Sequence, residues 1–572
     1  MYLRRFFNFT PGSLAGPFLW LLACLVALLL AASVVGAQSL GGATVTRAPT
    51  AASPAYSPNA ALGFDDARHL LNRTSFAAQI GDIERFAQLT RAQAVDQLLA
   101  ETRRQAAYPV PAWASRYERP YRPDMSPEER NKVNRREQVE RGLELRTWWI
   151  AEMLSTPTPF TEKMTLFWHN HFATGQQKVR VAQLMYRQNT LLRSYALGNF
   201  GAMLREISKD PAMLVYLDGA QNRKGAPNEN FAREVMELFT LGEGRYSEQD
   251  IKEVARAFTG WSVDPDAGEF RFRRGIHDEG EKSIFGVRGR MNGDDVVTLL
   301  LRQPATAEFV VSKLWREFVS PTPDAATVRQ LAQVWRDSNY EIKPLMRAML
   351  LSDAFWAPAH RASLVKSPVD LVIGSLRQFG FSVEDPAPFA IVLRQLGQDL
   401  FNPPNVKGWP GGDAWLNTTT LLARKGFLNR LFRADEMLKA DGSVAPRPAV
   451  ALIDRDMMGE RRERAQTRLA LRGAPEGRGL GGDVGDGGSM GAPLPPFGIS
   501  NQLRGQYYFN AEQWFAQQPA STAMRRPSSN NTQPDLILRA LLAGPPVQAP
   551  LDTPHTLAGL RAIALDPMYQ LK

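Results

Sequence analysis

"NENFAREVMELFTLGEGRY", residues 228–246, is the stretch on which the fold turns. On a helical wheel of about 100° per residue, Phe231, Val235, Leu238 and Phe239 share one arc, which Ala232 and Met236 widen. Glu229, Arg233 and Glu237 follow at successive i, i+4 positions on the other side, flanked by Asn230 and Glu234. This period marks an amphipathic helix, and Asn228 ahead of it can cap the first turn. The polar side has two readings. It is a surface ladder, worth a few tenths of a kcal/mol per pair, or it holds a working carboxylate. Glu234 has no partner in the ladder and could bind a metal or act as a base. Spacing by itself favours the ladder.

Working outward, the helical period recurs. It predicts helices over 65–71, 80–89, 91–101, 127–154 and 160–169. Thr90, Ser126 and Ser247 each precede such a run and offer an oxygen to its unpaired amides, with Pro127 at a first helical position. Alternating patterns are scarce; "GEFRFRR", 268–274, reads as one arm of a β-hairpin. The fold class is therefore mainly α: one large helical domain over 60–471, with a short hairpin, completed by helices in 499–572. Between these, 472–498 is so rich in glycine and proline that it is expected to be a disordered insertion.

The start of the chain bears on where the protein works. Arg4 and Arg5, the apolar run 18–32 and the small residues Val35, Gly36 and Ala37 form a secretory signal peptide over 1–37, followed by a flexible lead-in over 38–59. The protein is expected to be exported to the periplasm, envelope or medium; only an uncleaved leader would tie it to a membrane. The single cysteine, Cys24, lies in that leader, which excludes disulfide and thiolate chemistry in the mature chain. The net charge of +10 becomes +8 once Arg4 and Arg5 leave. The surplus is spread thinly and points to an anionic surface or envelope polymer, while export argues against nucleic acid.

Several groups could carry chemistry. His169 and His171 stand two apart in "WHNHF": on an extended segment both rings face one way, on a helix they diverge by about 200°. With Glu234 they are a candidate set for zinc or another divalent metal. The flanking Trp168 and Phe172 instead suit buried imidazoles bonded to backbone. In "HDEGEKSIFG", 277–286, His277 is a candidate base beside Asp278, whose commoner use is to stabilise a turn. Trp409 and Trp415, with Asn417, flank a glycine hinge; they can stack on sugar rings or anchor a loop. There is no nucleophile elbow, phosphate loop, dinucleotide fingerprint or HExxH helix at a convincing position.

Together the segments "KMTLFWHNHFATG" (163–175), "MLVYLDGAQN" (213–222), "NENFAREVMELFTLGEGRYSEQDIKEVARAFTGW" (228–261), "HDEGEKSIFG", "VKSPVDLV" (365–372), "NVKGWPGGDAWLNTTTLLAR" (405–424) and "IALDPMYQ" (563–570) resemble, in order, the bacterial family called domain of unknown function 1800. The pattern departs at Phe239, where relatives carry His. The resemblance implies an exported or envelope-associated helical protein, often encoded beside an exported sulfatase-like protein of another uncharacterised family. Two functions follow: a binding or assembly partner of such a protein or of an envelope polymer, or a metal-assisted envelope hydrolase built on His169, His171, Glu234 and His277. Arg233, Trp409, Trp415 and Asn417 are the binding candidates. Amid these blocks the Glu229-Arg233-Glu237 stripe is expected to be interior, locking its helix to neighbours.

Overall fold

Helix starts follow the caps. Thr90, Ser126 and Ser247 each accept from the backbone amide three residues on, while Gln93, Glu129 and Asp250 reach back to the capping residue's own amide. A cap oxygen contributes about 1 kcal/mol in general. Asn228 accepts from the Asn230 amide at 2.9 Å and opens the helix Glu229–Glu237. The computed structural model describes residues 59–114, 116–433, 507–518, 536–548 and 555–572. The leader, nearly all of the lead-in and the insertion expected over 472–498 lie outside them.

The chain is mainly α, with helices Gly63–Thr74, Ile80–Ala87, Arg91–Ala100 and Pro159–His171 among the expected ones. The run expected as one helix over 127–154 is three segments: Pro127–Asn134, a π-helical Arg135–Glu140 and Arg141–Ser155. The wider turn lets Glu137 point inward, where its fully buried carboxylate takes the Arg141 guanidinium at 2.6 Å and the Ala182 amide at 3.3 Å.

Strands are few. The expected hairpin pairs β1 (Trp261–Asp264) with β2 (Glu269–Phe272), Trp261 opposite Phe272 and Asp264 opposite Glu269. The Asp264 carboxylate closes the turn by accepting the Asp266 amide at 2.9 Å. Two further ribbons accompany it: β3 (Lys282–Ile284) with β4 (Val287–Gly289), and β5 (Ser382–Val383) with β6 (Tyr507–Tyr508).

Residues 58–572 form one unit around a continuous core. Trp149, Trp168, Trp315 and Trp335 are fully buried in it, each contributing on the order of 5 kcal/mol of hydrophobic free energy before ordering entropy is subtracted. The last residues belong to this core: Val365 bridges Leu571, the Lys366 amide donates to the Gln570 carbonyl at 2.8 Å, and Tyr569 is buried. Among the described residues no helix is long and apolar enough to cross a membrane.

Candidate functional site

The helix Pro159–His171 carries both histidines of "WHNHF" and buries nearly its whole surface. Because the motif is helical, the two rings point into different parts of the core. His169 packs edge-on against Trp149 and Phe401, each at 5.1 Å, and beside Trp409 at 5.8 Å. Among the described residues neither ring nitrogen has a partner, and burial pushes the imidazole down to about 3. The His171 Nε2 lies 3.1 Å from the Phe239 carbonyl oxygen, and burial, aided by Lys313, holds it well below its ordinary value. His277 is elsewhere again: its Nδ1 meets the Thr259 carbonyl at 2.8 Å and its ring rests on Phe272 at 5.3 Å. The set His169, His171 and Glu234 is thus not brought together. Among the described residues no three His, Cys, Asp or Glu side chains converge as a metal site.

The carboxylate ladder is also corrected. Only the arc of Phe231, Ala232, Val235 and Met236 is buried in the helix Glu229–Glu237. Arg233 does not sit between Glu229 and Glu237; it reaches Glu248, at the start of helix Glu248–Ala257, with contacts of 3.1 and 3.0 Å. The two side chains are 37% and 70% exposed, so the tie lies in water. Glu237 instead accepts from the Tyr246 hydroxyl at 2.5 Å. The apolar arc satisfies the core by itself, and Glu229, Arg233, Glu234 and Glu237 on the other side are only partly covered.

What does converge is a set of loops. The Asn170 side chain accepts the Trp409 amide at 2.7 Å, and Gly408 packs on Asn170 so closely that a Cβ would stand 2.2 Å from its Oδ1. With φ at +87°, position 408 needs glycine on both counts. The Gln176 amide donates to Phe401 O at 2.8 Å, and Lys178 pairs with Asp218 at 2.7 Å. Asn222 donates to the Ala255 carbonyl and accepts the Asn228 amide, each at 2.9 Å; Asn228 donates to Asp218 O at 2.8 Å, and Asn230 to Leu217 O at 3.2 Å. Asparagines in three of the quoted blocks thus satisfy backbone that would otherwise be stranded. These contacts join the blocks into one scaffold. The sequence family described as "Protein of unknown function (DUF1800)" matches residues 69–538, most of the chain. The chain belongs to this family. Neither a curated protein nor a solved structure matches it.

In this DUF1800 chain the binding candidates divide. Trp409 and Trp415 are buried and anchor their loop, so they offer no open stacking face. Asn417 caps the helix Thr418–Leu431, accepting the Thr420 amide at 2.9 Å. Asp278 holds Arg256 through contacts of 2.9 and 3.2 Å, and that hydrogen-bonded guanidinium brings its carboxyl down to about 2. Glu234 is the exception. It is half-buried, and its carboxylate makes no hydrogen bond or ion pair among the described residues. Burial raises its carboxyl, Glu237 adds to this, and Lys407 and Arg233 oppose it. Tyr216 feels the same charge, so Glu234 stands where three blocks of the scaffold meet.

Two buried ionic groups of this DUF1800 chain escaped notice in the sequence. Glu162 and Arg193, both 1% exposed, meet at 2.6 Å, and Glu162 also accepts the Trp149 indole N–H at 2.9 Å. Asp370 accepts from the Lys163 ammonium at 2.6 Å and from the Lys572 ammonium at 2.7 Å. A charge inside a largely apolar helix is the signal that marks Glu162, Lys163 and Asp370. Nothing in one sequence says which of them meet.

Proposed function

We propose that this protein is exported, with residues 1–37 as its signal, and acts as a binding or assembly partner of another exported or envelope component. An exported sulfatase-like protein is the first candidate partner and an envelope polymer the second. One observation supports the reading: polar side chains of the family blocks hold the protein's own loops in place, as Asn170 does at 2.7 Å from the Trp409 amide. Such a scaffold presents a rigid face with Glu234 and Lys407 on it. The metal-assisted hydrolase has less support, because His169, His171 and His277 lie in separate places and Glu234 would have to act without them.

The test is co-expression of the full chain with an exported sulfatase-like protein from the same genome. A complex that survives size-exclusion chromatography and is lost in Glu234→Lys or Lys407→Glu supports the assembly reading. Stoichiometric metal in untagged protein, lost in His169→Ala or Glu234→Ala, overturns it in favour of the hydrolase. Intact mass of the exported protein tells whether the leader is removed after Ala37.

A further inference from the structure

A groove of about 390 Å³ opens where the end of helix Arg141–Ser155 meets the end of helix Pro368–Gln378. Its size is that of small-molecule sites. Leu154, Leu376, Phe381, Val383 and Pro386 supply apolar walls, and Tyr108, 40% exposed, stands among them. A single basic side chain, Arg377, enters this lining.

Arg377 is held unusually firmly. Its Nη1 donates to the carbonyl oxygens of Met153 at 3.0 Å, Leu154 at 2.7 Å and Thr156 at 3.2 Å, and its Nη2 donates to Thr156 O at 3.3 Å. Those carbonyls are the unpaired acceptors at a helix end, where a cation is favoured. They occupy the end-on edge of the guanidinium. The side-on edge, Nε–H with the second Nη2–H, has no partner among the described residues, and Nε is not one of the orphaned atoms sealed from solvent. Nor does any carboxylate pair with Arg377 among them. The side-on edge is a planar fork that matches a carboxylate with two parallel hydrogen bonds. Because the guanidinium is already immobilised, such a ligand need not order it.

We propose that this groove binds a carboxylate with an apolar tail: the carboxylate on the side-on edge of Arg377, the tail along Leu154, Leu376, Phe381 and Val383. The site is independent of the assembly reading, since no residue of the Glu234 face takes part. Glu384 also lines the groove.

The probes are decanoate and its neutral isostere decanamide, titrated calorimetrically into the full chain below their aggregation concentrations. Decanoate is expected to saturate one site and to bind at least about tenfold tighter than decanamide, the effect of one charge-assisted hydrogen-bond pair. Val383→Glu should weaken decanoate at least about tenfold with the urea midpoint unchanged. Arg377→Gln should erase the preference for the acid; because it also strips donors from three carbonyls, Val383→Glu and the comparison of acid with amide in the parent decide the matter if it fails to fold. Equal affinity for acid and amide, absence of saturation, or parental binding by Val383→Glu overturns the proposal.

Discussion

Arg233 with Glu248 and Asp370 with its two lysines are both ion pairs between separate helices, yet they live in different solvents. The Arg233 and Glu248 side chains are 37% and 70% exposed, so water screens their attraction and competes for each group. Asp370 is 1% exposed, Lys163 2% and Lys572 5%; among the described residues Glu317, at 3.1 Å from the Lys572 ammonium, is the only other carboxylate paired with them. Burial alone would raise the Asp370 carboxyl, but the two ammoniums outweigh it and hold it far below its ordinary range. The same carboxylate completes the capping box of helix Pro368–Gln378, taking the Ser367 amide at 3.2 Å. One side chain thus ties that helix, the helix Pro159–His171 and the final residue together. The lesson is that a pair's importance is set by what surrounds it, which residue spacing does not reveal.

The largest expected effect tests that contrast directly. Asp370→Ala leaves two buried ammoniums with only the partly exposed Glu317 between them and should cost about 3 kcal/mol, read from urea unfolding. A loss below about 1 kcal/mol would mean that water reaches the cluster, and the contrast would fail. Next comes the pair Glu162 and Arg193. Glu162→Leu alone should cost about 3 kcal/mol because Arg193 is left charged and buried, whereas Glu162→Leu combined with Arg193→Met should restore much of the loss. If the double variant is as unstable as the sum of the singles, the pair is not a coupled unit.

The buried histidines extend the contrast to pH. Burial pushes both His69 and His169 down to about 3, while the unfolded chain binds these protons near pH 6.5. The folded values are depressed, so the stability they confer is present above about pH 6.5 and is lost as pH falls toward 3. Each contributes a slope of at most about 1.4 kcal/mol per pH unit in that window. His169→Phe keeps an aromatic ring among Trp149, Phe401 and Trp409 and removes one such slope. The difference between variant and parent cancels opposing groups such as Asp210, which burial raises to about 7. Parallel stability curves for the two proteins between pH 6.5 and 4 would show that His169 is already solvated.

Local features of the fold were legible in the sequence because their causes are local. The caps at Thr90, Ser126 and Ser247, the hairpin arm at 268–274 and the apolar arc of Phe231, Val235 and Phe239 each follow from residues within a few positions of one another. The π segment at Arg135–Glu140 was not legible, because its cause is Glu137 reaching the distant Ala182 amide. The candidate site failed for the same reason. Whether His169 and His171 share a side depended on where the helix ends, and Pro159–His171 runs two residues beyond the predicted end at 169. Asn170 reads as a spacer between two histidines until Trp409, more than two hundred positions later, supplies the amide it binds.

The smallest effect is the one the sequence inflated. An Arg held between two buried carboxylates would cost about 3 kcal/mol or more to replace, since its loss strands their charge. The observed Arg233 has neither condition: Glu229 and Glu237 do not enclose it, and the partner it does have, Glu248, can be rehydrated at once. Arg233→Met keeps much of the aliphatic stem that covers the helix and removes only an exposed attraction, so its cost should stay below about 1 kcal/mol. The pair raises the Arg233 guanidinium and lowers the Glu248 carboxyl, each chiefly through the hydrogen bonds between them. That interaction is screened, so raising salt should shrink even the small difference between parent and variant. A cost of about 3 kcal/mol that persists in high salt would return Arg233 to the interior and remove the contrast with Asp370.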